Sequence, residues 1–259
     1  MARNQSLPLY SILVPTYNEA ESLPLLTVSL IQHLRGHLDF RYEIIVIDDK
    51  SPDGSAQIFK AIQSLYPEES LILVEREGKL GLVKKQNSVC TSYILTTGTA
   101  YIAGLEKAKG EFVILMDADF SHHPKFIPHF ITEQKKRNYD IITGSRYSPG
   151  GGIFGWNLNR ILTSCVANFL ARTLLNVPLN DFTGSFRLFR RDSLEIILKE
   201  VISKGYVFQL EIIVRAYKNK MTIGEVPITF IDRLYGESKL DGNEILNYLK
   251  VLLTLFWTL

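Results

Sequence analysis

The sequence predicts an α/β fold in which a mainly parallel central sheet is covered by helices on both faces. Strand-like apolar runs alternate with segments of helical periodicity, as in chains built from β–α–β units. The strand-like runs are continuously apolar rather than alternating, which is typical of strands buried on both faces. Polar residues gather directly after these runs, and ligands of open α/β sheets bind at the carboxyl ends of the strands. We therefore expect the functional site at that edge of the sheet.

Local signals place the individual elements. Gly110 is expected to close one short helix, and Pro124 stands where the next helix begins. The first helix has leucines at three- and four-residue steps, namely Leu23, Leu26, Leu30 and Leu34. The predicted strands are residues 11–14, 42–49, 71–77, 111–119 and 139–147, and the predicted helices are residues 20–35, 55–65, 98–110 and 124–138.

Composition excludes several classes of protein. The chain has 259 residues, of which 46% are hydrophobic and 22% are charged, so it can bury a substantial core. A net charge of +2 excludes a strongly basic nucleic-acid footprint. Cys90 and Cys165 are far apart and form no CxxC pair, which argues against a disulfide scaffold or a zinc site and fits a reducing compartment.

The apolar segments are too short to cross a bilayer unaided. No secretory signal is recognisable at the N-terminus, and no apolar run reaches the roughly 20 residues that a membrane span needs. We expect one domain over residues 1–243 and an apolar helix over residues 244–259. That helix either docks on a membrane or a membrane partner, or packs on the core of the domain itself.

Acidic residues follow two of the buried strands. In "FVILMDADFSHHP", Asp117 and Asp119 are separated by Ala118 alone. Two such carboxylates favour a hard divalent cation, Mg²⁺ or Mn²⁺, that bridges the protein to a substrate diphosphate; alternatively they cap the next helix or face solvent. The polar residues expected to approach one crevice are Asn18, Glu19, Asp48, Asp49, Asp117, Asp119 and Arg146.

Neighbouring stretches favour a sugar nucleotide as the ligand. "IDDKSPDG" offers carboxylates that can accept bonds from a base or a ribose, and "PTYNE" offers an aromatic face at Tyr17. Neither a GxxxxGK[ST] nor a GxGxxG loop is present, so a triphosphate or a dinucleotide fits less well. His122 and His123 are expected to shape the loop before Pro124 rather than bind the metal, since neutral imidazole suits zinc better than magnesium.

These stretches carry a resemblance to a known family. The chain resembles the family 2 glycosyltransferases of GT-A (Rossmann-like) fold, and among them the group that transfers mannose to dolichyl phosphate. The stretches that carry the resemblance run in family order through nearly the whole chain: "VPTYNE", "IDDKSPDG", "MDADFSHHPKFIP", "GSRY", "DFTGSFRLFRR", "KGYVFQLE", "IGEVPITFIDRLYGESKLDGNEI" and "LLTLF".

The resemblance implies roles for individual residues. Asp117 and Asp119 would hold the metal and, with Arg146, form the catalytic set. "LYGES", between Arg233 and Lys239, would belong to a mobile segment that closes over the donor. Arg160 and Ser164 would meet the phosphate of the acceptor, although Arg160 could also be a surface residue lying along apolar groups. The donor-binding residues implied are Pro15, Tyr17, Glu19, Ile47, Asp49, Asp117, Ala118, Asp119, Arg146, Arg233 and Lys239.

The resemblance also implies a reaction and partners. Mannose would pass with inversion from GDP-mannose to dolichyl phosphate, and the product would serve protein glycosylation and GPI-anchor synthesis. The enzyme would be peripheral on the cytosolic face of the endoplasmic reticulum membrane, held by small membrane-embedded regulatory subunits. Alternatives are a dolichyl-phosphate glucosyltransferase that uses UDP-glucose, and an inactive chain that still binds the membrane subunits. The sequence leaves Mg²⁺ and Mn²⁺ equally open.

Residues 83–97 depart from the family pattern. The family reads "KLGLGTAY" where this chain reads "KLGLVKKQNSVCTSYILTTGTAY". The inserted segment is either a tolerated surface loop, since long insertions cost little loop entropy, or an extra translated segment that impairs the enzyme.

The acceptor side of the site is expected to meet a membrane. "RILTSCVANFLARTLL", residues 160–175, has enough apolar positions for an amphipathic or interfacial helix. The glycines of the preceding "SPGGGIFGW" would let that loop move.

Overall fold

The computed structural model describes residues 7–77, 97–203, 207–233, 235 and 242–258. The strands are β1 Leu9–Thr16, β2 Arg41–Asp48, β3 Leu71–Glu75, β4 Phe112–Leu115, β5 Ile141–Ser145, β6 Gly152–Phe154, β7 Arg187–Arg190, β8 Ile223–Pro227 and β9 Thr229–Ile231. The helices are α1 Ser22–Leu34, α2 Ser55–Leu65, α3 Thr97–Lys107, α4 Ile127–Arg137, α5 Leu158–Leu175, α6 Arg191–Glu200, α7 Val207–Lys218 and α8 Gly242–Thr258, with a short 3-10 turn at Pro124–Phe126 before α4.

The central sheet is mainly parallel, as the sequence predicts. Its strands lie in the order β3-β2-β1-β4-β7-β5-β8. Strand β7 is antiparallel to both β4 and β5, whereas the other neighbours are parallel. A second, two-stranded sheet joins β6 and β9 in parallel.

Helices cover both faces of the sheet. On one face the buried core brings together side chains of α3, α5, α6, α7 and α8, and on the other face it brings together side chains of α1, α2 and α4. The strands contribute buried residues to both cores, which explains why the apolar runs of β1 and β2 are continuous.

The register of the sheet brings three strand ends to one edge. Thr16 at the end of β1 pairs with Asp48 at the end of β2, and Leu13 of β1 pairs with Leu115 at the end of β4. The turns that follow these strands hold Asn18, Lys50 and Phe120, non-glycine residues with φ of 59°, 57° and 61°. Left-handed backbone is uncommon for Lys and Phe, whereas Asn adopts it more readily.

Gly110 has a different role from the one predicted. Helix α3 ends at Lys107, so Gly110 does not close it. A Cβ at position 110 would lie 2.6 Å from the Oγ of Ser11 and 2.7 Å from the carbonyl oxygen of Leu9. Glycine is therefore required because the backbone passes directly against β1.

Helix α5 turns apolar side chains toward solvent. Asn168 faces the domain: its side chain accepts a hydrogen bond from the backbone N–H of Phe182 and donates to the carbonyl of Ser164. The opposite face exposes an apolar stripe at three- and four-residue steps, which consists of Leu158, Leu162, Val166 and Phe169. We call these four residues the α5 stripe.

Helix α8 combines core packing with exposed apolar residues. Leu252 and Leu255 are buried in the core, and the Tyr248 hydroxyl donates to the Ala167 carbonyl of α5 at 2.9 Å. Exposed residues on the same helix are Leu246, Leu249, Leu253, Phe256 and Trp257. Among the helices in the described ranges, none is both long and apolar enough to cross a membrane.

Candidate active site

The loop after β4 fixes the orientation of Asp119. Its Oδ1 accepts hydrogen bonds from the backbone N–H and the hydroxyl of Ser121, at 3.1 and 2.5 Å. Its Oδ2 lies 3.5 Å from Nη2 of Arg233. One carboxylate oxygen therefore shapes the loop, while the other is directed at a cationic side chain.

Asp117 is held by Ser185 from another segment and by His122 of its own loop. The Ser185 hydroxyl donates to its Oδ2 at 2.7 Å, and its backbone N–H donates to Nδ1 of His122 at 3.3 Å. The His122 ring is buried and stacks on Phe186 with centroids 5.0 Å apart. Burial lowers the pKa of His122, which favours a neutral ring that accepts this bond. His122 thus supports the loop, the role that the sequence predicts.

Negative charge exceeds positive charge in this part of the site. Glu19, Asp117 and Asp119 interact with one another and with Arg233. Withdrawal from solvent raises the pKa of Asp117; His122 opposes this rise and Asp119 adds to it. Withdrawal from solvent also raises the pKa of Glu19, where the bond from Ser22 opposes the rise and the charge of Asp119 adds to it. A cation between these acids would relieve the repulsion.

A divalent metal fits this site only with help from a substrate. Within the described ranges, no group of three or more His, Cys, Asp or Glu residues could hold a metal ion. Mg²⁺ and Mn²⁺ are commonly held by one or two carboxylates together with phosphate oxygens. Asp117 and Asp119 meet that requirement if a diphosphate supplies further ligands.

The acids after β2 are occupied by protein partners. Asp48 is buried and accepts both the backbone N–H and the hydroxyl of Ser51, at 2.9 and 2.5 Å, so it shapes its own turn. Asp49 forms an ion pair with Nη1 of Arg76 at 2.6 Å. Nη2 of Arg76 donates to the Thr99 hydroxyl of α3 at 2.8 Å. Arg76 thereby joins β2 to α3, a link that sequence reasoning missed.

The other predicted nucleoside contacts differ in accessibility. Pro15 and Ile47 are register partners on β1 and β2. The side chain of Ile47 is fully buried against Gly104, so only its backbone can face a ligand. Tyr17 is half-buried at the strand edge, and Ala118 is buried between the two aspartates.

Arg146 is already bound by an acid of the protein. Its Nε and Nη2 donate to the two oxygens of Asp181, each at 2.7 Å, and Nη2 also donates to the Thr183 hydroxyl at 2.6 Å. Both partners of this ion pair are buried. The guanidinium also lies 5.4 Å from the ring of Trp156. Direct binding of a donor by Arg146 stays a prediction.

The predicted acceptor residues lie on one face of α5. Nη1 of Arg160 donates to Oδ1 of Asp232 at 2.9 Å, and its guanidinium carbon lies 3.9 Å from the centre of the Trp156 ring. The Tyr147 hydroxyl donates to Ser164, one helical turn later, at 2.7 Å. Lys239 and most of "LYGES" lie outside the described residues.

Comparison with known proteins identifies the family. Residues 11–198, most of the chain, match the family described as "Glycosyl transferase family 2". The chain belongs to glycosyltransferase family 2. Polyprenol monophosphomannose synthase of Mycolicibacterium smegmatis is 36% identical over 238 residues, 90% of this chain and 82% of that protein. Undecaprenyl-phosphate mannosyltransferase of Micrococcus luteus is 35% identical over 235 residues, 89% of this chain and 86% of that protein.

Solved structures of similar fold support the predicted architecture. Glucosyl-3-phosphoglycerate synthase from Mycobacterium tuberculosis, solved with Mn²⁺, UDP and glucosyl-3-phosphoglycerate, aligns with a TM-score of 0.65 at 18% identity, covering 96% of this chain and 80% of that one. The same enzyme solved with Mg²⁺ and UDP also gives a TM-score of 0.65, at 19% identity. The predicted GT-A-like fold is confirmed.

Proposed function

We propose that the chain transfers mannose from GDP-mannose to a polyprenyl phosphate, and specifically to dolichyl phosphate. Two relatives that are 36% and 35% identical over about nine-tenths of the chain are a polyprenol monophosphomannose synthase and an undecaprenyl-phosphate mannosyltransferase. They support mannose as the sugar and a polyprenyl phosphate as the acceptor. The choice of dolichyl phosphate and of GDP rests on the motif resemblance alone.

The observation that carries this proposal is the position of Arg160. It lies in the first turn of α5, next to the α5 stripe, and its partner Asp232 directly precedes Arg233, which faces Asp119. A cationic side chain therefore stands between a cluster of acids and an exposed apolar helix face. A lipid phosphate requires both a cation for the headgroup and apolar surface for the chain.

The acid cluster suits the donor. Asp117 and Asp119 would hold Mg²⁺ or Mn²⁺ together with the diphosphate of GDP-mannose. The bound cation would supply charge neutralisation as the diphosphate departs. Arg233 reaches the same region and can neutralise phosphate oxygens by bidentate bonds.

The acceptor needs no general base. A phosphate monoester has a second pKa near 6, so its oxygen is already ionised at neutral pH. That oxygen forms a bond to the anomeric carbon of mannose while the bond from this carbon to the diphosphate oxygen breaks, and GDP leaves with the electron pair. Attack from the opposite side inverts the α-linked donor to a β-linked product. The protein then contributes positioning and electrostatic stabilisation.

A transfer assay tests the function. Purified chain is incubated with Mg²⁺ or Mn²⁺, a short polyprenyl phosphate, and either GDP-mannose or UDP-glucose as the donor. We expect polyprenyl phosphate mannose from GDP-mannose and little product from UDP-glucose, because guanine and uracil differ in size and hydrogen-bond pattern. Preferential use of UDP-glucose would establish the glucosyltransferase instead, and failure with both donors would contradict the proposal.

Excision of residues 83–97 tests whether the insertion matters. The described flanks of this region are joined by Arg76, which binds both Asp49 and Thr99. Because Arg76 and both of its partners lie outside the inserted residues, we expect removal of residues 83–97 to change the dissociation constant for GDP-mannose less than about 2-fold. Calorimetric titration of the chain with and without residues 83–97 measures this constant. A much tighter complex after excision would support the alternative that the insertion impairs the enzyme.

We also propose a peripheral site of action on the cytosolic face of the endoplasmic reticulum membrane, with small membrane subunits as partners. The exposed apolar residues of α5 and α8 support membrane proximity. The compartment and the subunits rest on the resemblance.

Truncation after Asn243, which removes most of α8, tests whether α8 is the docking element. We expect the truncated protein to be released from membranes.

A further inference from the structure

Asp232 occupies a rigid position between the two halves of the candidate site. Its backbone N–H donates to the carbonyl of Phe154 at 2.8 Å, directly after the pairing of β6 with β9. Gly155 has φ of +92°, and a Cβ there would lie 2.9 Å from the Cβ of Asp232. The close approach of these two segments fixes the origin of the Asp232 side chain.

A single oxygen of Asp232 contacts both halves. Oδ1 accepts from Nη1 of Arg160 at 2.9 Å and from the backbone N–H of Arg233 at 3.1 Å. Arg160 is the predicted acceptor residue, and Arg233 is the predicted donor residue that lies 3.5 Å from Asp119.

The two arginines keep donors for ligands. The bond to Asp232 uses Nη1 of Arg160, and stacking on Trp156 fixes the plane of the guanidinium. The other edge of that guanidinium is therefore oriented for an anion. Nε of Arg233 and Nε1 of Trp156 are buried and have no hydrogen-bond partner in the structure. Unpaired buried donors are rare and point to a missing acceptor.

We propose that Asp232 is a positioning residue shared by both subsites: it orients Arg160 for the lipid phosphate and holds the start of the segment that presents Arg233 to the donor diphosphate. The proposal rests on the function proposed above. Since Asp232 acts through two arginines, its loss should weaken the binding of both substrates, whereas loss of either arginine should weaken the binding of only one.

Binding and kinetics of single and double variants test this role. Dissociation constants for GDP-mannose and for geranyl phosphate, a soluble prenyl phosphate, are measured by calorimetry, and KM values by the transfer assay. For Asp232→Ala we expect both constants to rise about 3- to 10-fold, within the usual range of coupling between contacting residues. Asp232→Asn should recover part of the loss, because its amide oxygen can still accept both bonds.

Double variants separate positioning from a general structural effect. In an Arg160→Gln background, Asp232→Ala should leave the binding of geranyl phosphate unchanged but should still weaken the binding of GDP-mannose. In an Arg233→Gln background, Asp232→Ala should still weaken the binding of geranyl phosphate. Glu195→Ala is the matched control, because it removes another acid paired with an arginine, at 3.0 Å on α6; we expect no change in either constant.

Three results would overturn the proposal. The first is that both dissociation constants are unchanged in Asp232→Ala. The second is that Asp232→Ala weakens geranyl phosphate binding equally in the presence and absence of Arg160. The third is that Asp232→Ala binds geranyl phosphate more tightly, which would make Asp232 a competitor of the phosphate for Arg160. Absence of transfer by the unmodified chain would instead contradict the proposed function, and the calorimetric constants would still test Asp232.

Discussion

Replacing Asp119 by alanine should lower mannosyl transfer by at least about 100-fold, the scale seen when a preorganised charge interaction is removed from a transition state. The variant loses the oxygen that faces Arg233 as well as one of the two carboxylates available to a divalent cation. Initial rates with saturating GDP-mannose and a short polyprenyl phosphate measure the effect. Titration with Mn²⁺ should show that the remaining activity requires more metal.

Asp53 provides a control for the structural part of this substitution. Its Oδ1 accepts from the backbone N–H and the hydroxyl of Ser55, at 3.1 and 2.6 Å, nearly the geometry of Asp119 with Ser121. Asp53→Ala removes the same kind of turn, together with the bond that Oδ2 accepts from the backbone N–H of Ala20, but it keeps both Asp117 and Asp119. Its transfer rate should therefore fall far less. Equal losses in the two variants would show that Asp119 matters for its loop and not for the reaction.

Replacing Asp181 by alanine should destabilise the domain by about 3–5 kcal/mol, because a buried arginine is left without its counter-ion. The side chain of Asp181 is fully buried and that of Arg146 is 6% exposed. Asp181 also accepts bonds from the backbone N–H groups of Arg146, Thr183 and Gly184. Urea denaturation followed by circular dichroism measures the free energy of unfolding.

An exposed ion pair gives the comparison for Asp181. Glu68, 57% exposed, pairs with Arg35, and Glu68→Ala should alter stability far less than Asp181→Ala, because solvent screens an exposed pair. Although burial alone opposes it, the pair with Arg146 lowers the pKa of Asp181. Its stabilisation is therefore complete above the unfolded value near 3.9 and is lost as the pH falls below it. A loss of stability in Asp181→Ala no larger than in Glu68→Ala would contradict this account.

The strands and helices up to residue 147 could be predicted because their signals are local. Helix α2 begins and ends where the sequence predicts, at Ser55 and Leu65. Strand β7 gave no such signal, since it is only four residues long and has an arginine at each end. Arg187 is nevertheless fully buried, because its guanidinium donates to the carbonyl oxygens of Gln209 and Phe182. The contact with Gln209, 22 residues away, leaves no local pattern in the sequence.

In the candidate site, too, features with a local sequence signal could be predicted and contacts between distant residues could not. The edge that holds Asp117 and Asp119 follows from the order of strands and acids, and the register of β1, β2 and β4 bears it out. The sequence did not reveal that Asp181 binds Arg146 from 35 residues away or that Arg76 binds Asp49. Asp232 was visible only as part of "FIDRLYGES", where nothing distinguishes a positioning acid from a solvated one.

The outward orientation of the α5 stripe has a kinetic consequence under the proposed function. An acceptor that reaches Arg160 along this helix face would arrive by lateral diffusion within a lipid layer, and the product could leave the same way. Turnover would then follow the mole fraction of acceptor in the layer rather than its bulk concentration. Adding inert phospholipid at constant total acceptor would slow such an enzyme by surface dilution.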